Sequence, residues 1–376
     1  MDDHRALGLG LIGCGAFGRF CLDAFSEMEQ VRIAAVADAR GEVADQLARD
    51  HGVPAYSDPA SLIASRDVQI VHIATPPSSH HELALAAARA GKHILCEKPL
   101  AMNLRQADAV LAASREAGVL CPVNFVLRHN PVTDAVKRII DCGVLGEVLA
   151  GRLTNCAKDT PLPADHWFWD QEVSGGIFIE HGVHFFDLYS YWLGAGTVIG
   201  AHAEVREATA QEDRVLCMVR HDTGAVVTHY HGFDQITPMD RADHRMVCEM
   251  GDIRVEGWIP LSVSVDAAVD DEGAERLAAA AFGGSVEILE RYPPDGCRIL
   301  GRGKTRRVTQ RIRLHYAPQL DKQSLYAESL RQLLADQVAA IRDRTHVRRI
   351  TERNGRDALV LAVAATEMAR ARMNAK

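Results

Sequence analysis

Three stretches of this 376-residue chain hold side chains at spacings that can do chemistry. The first is Glu97-Lys98-Pro99. It follows an apolar run, and the proline keeps its neighbour extended, so the lysine stands at the end of a buried strand. Partial desolvation there pushes a lysine's pKa down and makes it a useful proton donor or acceptor; the bland alternative is a surface lysine. The second is Ser174–Leu188, SGGIFIEHGVHFFDL. On a helix, Glu180 and His184 lie four apart on one face, Asp187 follows three later, and His181 is turned away by about 100°. A carboxylate one turn before a histidine orients the imidazole and steadies its cation, as a general base needs. The same residues also read as a salt-linked helix face, or as metal donors lacking the HExxH pattern; no metal is expected.

The third stretch is Gly13-Cys14-Gly15-Ala16-Phe17-Gly18. An apolar run precedes it (Leu7, Leu9, Leu11, Ile12), and a helical stretch and a second apolar run ending on Asp38 follow. Strand, glycine turn, helix, strand and acid each have a task in binding a dinucleotide. Gly13 permits the tight turn, Gly15 lets backbone approach a pyrophosphate, and Gly18 lets helix and strand pack closely. The helix start at Ala16 and Phe17 offers unpaired N–H groups and a positive dipole end to phosphate. Asp38, twenty residues after Gly18, is placed to accept from the adenosine ribose hydroxyls. A carboxylate there favours NAD and repels the 2′-phosphate of NADP. Arg40 either softens that preference by pairing with phosphate or faces solvent.

The elements needed to position these groups are legible. Strand and helix patterns alternate over residues 1–124, predicting a doubly wound parallel sheet. Helices are expected at 41–52, 58–65, 78–90 and 104–117, and strands at 68–73, 93–96 and 119–124. The glycine turn, Thr75-Pro76-Pro77 and Glu97-Lys98-Pro99 all end strands, so they gather on one sheet edge, where ligands bind. Beyond residue 124 the rhythm changes to strand-like runs at 147–157, 198–207, 214–220, 225–233, 245–250 and 253–256. These point to a mostly antiparallel open sheet with one face covered. Helices are expected at 131–142, 178–193, 320–342 and 356–372; residues 270–284 read as a mobile insertion or a plain surface helix. The expectation is therefore α/β plus α+β: a Rossmann domain over 1–124 and a substrate and oligomerisation domain over 125–376, whose last helix can pack back on the first domain.

Composition bounds the function. The chain is 47% hydrophobic and 24% charged, which suits two filled globular cores. A net charge of -8 disfavours a nucleic-acid partner and an anionic membrane. Nine cysteines occur without a CxxC pair, which fits reduced thiols. No leader and no long apolar run is read, so a soluble cytoplasmic protein is expected.

Taken together, the chain resembles the glucose–fructose oxidoreductase / inositol dehydrogenase / rhizopine-catabolism family (Gfo/Idh/MocA) over essentially its whole length. The resemblance rests on Gly13-x-Gly15-x-x-Gly18, Thr75-Pro76-Pro77 with His80, and Glu97-Lys98-Pro99. It continues through Asn124…Arg128…Pro131, Ser174-Gly175-Gly176, Gly182-x-His184-x-x-Asp187-Leu188 and Glu352…Gly355-Arg356. It implies Lys98, Glu180 and His184 as catalytic residues, with Glu180 replacing the usual aspartate and reaching one methylene further. It also implies Thr75, Pro76, His80 and Glu97 at the cofactor, and Asn124 and Arg128 at the substrate. Trp167 and Trp169 offer rings that stack on a sugar face or clamp a subunit contact. His181, and His231 with His229 beside it on a strand, line the substrate cleft or the sheet surface. Arg306, Arg307, Arg311 and Arg313 guard an exposed edge or meet an anion.

The activity so implied is NAD-dependent hydride transfer at a secondary hydroxyl of a sugar, cyclic polyol or glycoside, in a homodimer or homotetramer. Two rivals share the fold: a glycosidase that oxidises sugar C3 transiently and then eliminates, and a dinucleotide-sensing regulator, which would need neither Lys98 nor His184.

Overall fold

The computed structural model describes residues 6–160, 162–293 and 296–373. Two compact units form: Met1–His129 with Ala164–Asp187 and Gln323–Val363, and Asn130–Pro163 with Leu188–Lys322 and Ala364–Lys376.

The first unit is built on a five-stranded parallel sheet: β1 (Leu7–Ile12), β2 (Val31–Ala37), β3 (Ala55–Tyr56), β4 (Ile70–Ile73) and β5 (His93–Cys96). The order is β3-β2-β1-β4-β5. Leu9, Leu11, Ile70, Val71, Ile94 and Leu95 are wholly buried, which is why these strands read as near-continuous apolar runs. The connecting helices are α1 (Ala16–Ser26), α2 (Gly41–His51), α3 (Pro59–Ala64), α4 (His80–Arg89) and α5 (Leu104–Ala117). Asp58 caps α3 through the Ser61 N–H (2.8 Å), and Asn103 caps α5 through that of Gln106 (3.0 Å).

One expected strand is absent. Residues 119–124 make only a single parallel bridge, Cys96 to Val123. The Ile94 N–H donates to Leu120 O (2.7 Å) and the Cys96 N–H to Pro122 O (3.1 Å). Pro122 has no N–H to return, so the ladder cannot propagate. The Ile94 carbonyl is satisfied instead by Gln337 Nε2 at 2.8 Å.

The second unit carries a nine-stranded sheet. Its strands are β6 (Val148–Lys158), β7 (Gly196–Val205), β8 (Glu212–His221), β9 (Val226–Gln235), β10 (Arg241–Cys248), β11 (Gly251–Glu256), β12 (Ser262–Val269), β13 (Ser285–Arg291) and, after a ribbon of β14 (Cys297–Gly301) and β15 (Lys304–Val308), β16 (Gln310–Tyr316). The order is β13-β16-β12-β11-β10-β6-β9-β8-β7, and only β6–β9 run parallel. Residues 270–284 contain an ordinary helix, Asp271–Ala280, capped by Asp270 and burying Leu277.

The two sheet faces differ. On the inner one, His229 and His231 are wholly buried, correcting the expectation of a cleft or sheet surface. Their rings stack at 6.3 Å, and Tyr189 meets His229 edge-on at 5.0 Å. Burial pushes His231 and His244 down to about 3, so both are neutral core residues. On the outer face cross-strand ion pairs run from Arg313–Asp266 (2.8 Å) to Arg152–Asp243 (3.3 Å). Three of the four arginines expected as an edge guard are taken up by acids: Arg313 by Asp266, Arg306 by Glu249 and, at 4.0 Å, Arg311 by Glu290. Toward β7 and β8 the same sheet exposes Ile199, Leu216 and Met218.

Candidate functional site

The glycine turn is shaped by what its Cβ atoms would meet. Gly13 has φ +100, and a Cβ there would lie 2.4 Å from Ala74 O. A Cβ on Gly18 would lie 2.0 Å from Gly13 O, so only glycine lets α1 approach β1 this closely. At Gly15 a Cβ would meet nothing within 4 Å. That open face leads onto the start of α1, where Ala16 and Phe17 are exposed. No side chain caps this helix and no acid stands in its first turn. The N–H groups there and the positive end of the helix are available to an anion.

Asp38 closes the far side of the turn. Its Oδ2 accepts from the Cys14 N–H (2.9 Å), and its Oδ1 from the Arg40 N–H (2.9 Å) and Nε (3.3 Å). Burial would raise its pKa, but these hydrogen bonds outweigh it and hold the carboxyl below its ordinary value. Oδ2 keeps acceptor capacity for a ribose hydroxyl. Arg40 therefore leans on Asp38 rather than standing apart in solvent, although its side chain is 64% exposed. Burial, with Asp38 nearby, pushes the Cys14 thiol up to about 12, which leaves it inert. An open glycine backbone, an uncapped helix start and an ionised acid fit a dinucleotide.

The ends of β4 and β5 meet through a buried histidine. His80 Nε2 lies 2.8 Å from Thr75 O and Nδ1 lies 2.7 Å from Pro99 O, so its ring spans the two loops. Thr75 Oγ1 pairs with Ser79 Oγ at 2.6 Å, and Pro76 is exposed. Glu97 turns inward: its Oε1 lies 3.1 Å from His72 Nε2 and accepts from Asn124 Nδ2 at 2.6 Å. Asn124 is 1% exposed and serves that carboxylate, an arrangement its sequence position did not disclose.

Lys98 points to the segment before the long helix. Residues 178–193, expected as one α-helix, are a π-helical turn, Phe178–Gly182, followed by an α-helix, Val183–Leu193. Such a turn is an α-helix with one residue too many, and it re-aims the side chains around it. Lys98 Nζ donates to Glu180 O at 2.8 Å and also to the Glu180 carboxylate. The expected Glu180-to-His184 orientation is thus replaced by a Glu180–Lys98 pair.

His184 is 4% exposed; its ring centroid lies 6.1 Å from that of His181, which packs on Phe185 at 5.4 Å. Asp187 accepts two bonds from Arg128, Nε to Oδ2 (2.7 Å) and Nη2 to Oδ1 (2.8 Å), which takes it out of any metal set with His184. Trp167 and Trp169 flank the buried Phe168 in a short 3-10 turn, with Phe168 and Trp169 edge-on at 5.0 Å. His231 belongs to the other unit.

A family profile described as "Oxidoreductase family, NAD-binding Rossmann fold" matches residues 7–125, and one described as "GFO/IDH/MocA C-terminal domain" matches 133–253. The scyllo-inositol 2-dehydrogenase (NAD(+)) of Bacillus subtilis is 30% identical over 223 residues, covering 57% of this chain and 64% of that protein. The 1,5-anhydro-D-fructose reductase of Ensifer adhaerens is 30% identical over 229 residues, covering 60% and 68%. Against the first relatives the match spans between about half and two-thirds of their length. A levoglucosan dehydrogenase solved with NADH and levoglucosan superposes with TM-score 0.78 at 23% identity, covering 98% of each chain. At that identity the likeness is one of fold. Among the described residues, no helix is long and apolar enough to cross a membrane.

Proposed function

Because the chain belongs to the Gfo/Idh/MocA oxidoreductase family, we propose that it is an NAD-dependent dehydrogenase acting on a secondary hydroxyl of a sugar, cyclic polyol or glycoside. The observation that carries this is the Lys98–Glu180 pair, set on the π turn that leads directly into the helix bearing His184. Names borne by relatives, an inositol dehydrogenase and an anhydrofructose reductase, support the substrate class.

Gly13, Gly15 and Gly18 with the start of α1 would hold the pyrophosphate, and Asp38 the ribose. Thr75, Pro76 and His80 would shape the loop beside the nicotinamide. NAD, when bound, supplies the hydride acceptor. His184 takes the hydroxyl proton as general base. Lys98 donates a hydrogen bond to the same oxygen as negative charge develops on it. Glu180 holds the ammonium in place until substrate arrives. His181, Trp167 and Trp169 provide ring faces suited to a sugar.

The exposed apolar residues of β7 and β8 favour pairing with a second copy, hence a homodimer or homotetramer. Nine unbridged cysteines favour a reducing, cytoplasmic setting.

The test is absorbance at 340 nm with NAD, and separately NADP, across inositols, free sugars and aryl glycosides. NADH formation with one class supports the reading. Aglycone release without net NADH would replace it with the oxidation–elimination reaction, and NAD binding without turnover on any compound would replace it with a sensor.

A further inference from the structure

A short buried segment joins the two halves of the proposed catalytic pair. At its start, the Asn124 N–H donates to Cys96 O (2.7 Å) and Nδ2 to Glu97 Oε1 (2.6 Å), one residue from Lys98. At its end, Arg128 grips Asp187 with two bonds, three residues beyond His184 on the same helix. Phe125, Val126 and Leu127 between them are at most 2% exposed, and Val126–His129 is a 3-10 turn, so the segment has no slack. Its end is held from outside by Arg349 Nη1, which donates to Arg128 O at 2.8 Å.

The geometry points to Arg128 as a positioning residue that sets His184 against Lys98 through Asp187. A planar guanidinium bonded to both carboxylate oxygens restrains rotation as well as distance, which one point charge does not. The pair is sealed, with side chains 9% and 2% exposed, so water does not loosen it. Arg128 was expected at the substrate; with Nε and Nη2 both on Asp187, its work is to hold the helix. The kinetic part of this inference rests on the dehydrogenase reading, and the spectroscopic part does not.

The variants are Arg128→Lys, which keeps charge without the fork, and the double variant Arg128→Met/Asp187→Leu, which removes both charges at similar volume. Arg353→Lys, at an 82% exposed side chain, is the control. NAD affinity, read by fluorescence titration, should stay within about twofold in all three. In Arg128→Lys, single-turnover hydride transfer should fall about 10- to 100-fold with substrate KM little changed, since small misplacements at a reacting centre cost this much. The His184 ring 1H–15N signals, assigned by their loss in His184→Ala, should move in both Arg128 variants and not in the control.

Unmoved His184 signals in a folded variant would overturn the inference. So would a raised KM at unchanged kcat, which would make Arg128 a substrate ligand. If the wild type turns over no polyol or glycoside, the dehydrogenase reading fails and the His184 signals still decide this question. If Arg128→Lys does not fold, the double variant carries the test.

Discussion

Lys98 and Glu180 are joined twice: the ammonium donates to the main-chain carbonyl of Glu180 at 2.8 Å and to the carboxylate of the same residue. One acceptor belongs to the backbone and survives any substitution at position 180; the other does not. Glu180→Ala should therefore keep Lys98 near its place yet lose the charge beside it. Single-turnover hydride transfer is expected to fall about 10-fold in Glu180→Ala and about 100-fold or more in Lys98→Ala or His184→Ala. Near wild-type rates in both of the latter would remove them from the mechanism.

Gly15 and Gly18 should separate binding from folding. A methyl group at Gly15 meets open space, so Gly15→Ala should unfold within a few degrees of the wild type while weakening NAD at least about 10-fold. At Gly18 it would collide with Gly13 O, so Gly18→Ala should lower the thermal midpoint markedly. Calorimetry and an NAD titration on the two proteins read both effects. Equal midpoints would refute the packing argument.

Cofactor choice should turn on Asp38. Asp38→Ser removes the charge that repels a 2′-phosphate and releases Arg40 from its carboxylate partner. The NAD-to-NADP affinity ratio is expected to drop at least about 10-fold, measured by parallel titrations. An unchanged ratio would place the discrimination elsewhere.

Acid should destabilise the fold well above the carboxylate range. His231 and His244 titrate near 6.5 when unfolded and at about 3 when buried, and His93 and His129 at about 4. Below pH 6.5 the unfolded chain takes up protons that the folded chain refuses, so stability falls as pH falls toward 4. Each histidine contributes a slope of about 1.4 kcal/mol per pH unit. Urea midpoints at pH 7, 6 and 5 should decline, and His244→Leu should flatten the decline. A midpoint flat across this range would contradict the burial of these rings.

Much of this was readable in the chain because it is local. Glycine spacing and the apolar runs of β1, β2, β4 and β5 act within a few residues. The features that escaped depend on partners far away. Nothing near residue 122 tells that Gln337 will take the Ile94 carbonyl, and nothing near Glu180 tells that Lys98, 82 residues earlier, will claim it. Alternation marked His229 and His231 as sharing a face, but which face is covered is settled only by Tyr189 and its neighbours. Apart from the arginines of β15 and β16, β12 through β16 escaped: β13 and most of β14 and β15 lie exposed, while β12 and β16 alternate buried with less buried residues, a pattern the chain does carry.

The π turn at Phe178–Gly182 makes chain length, beside the Glu180 carboxylate, a quantity this region guards. Removing one residue from it would restore an uninterrupted α-helix and swing everything on one side by about 100° relative to the other. Glu180 would then face away from Lys98, or His184 and Asp187 away from Arg128, with every side chain still present. An insertion or deletion in this segment should therefore abolish hydride transfer even where every functional side chain is kept.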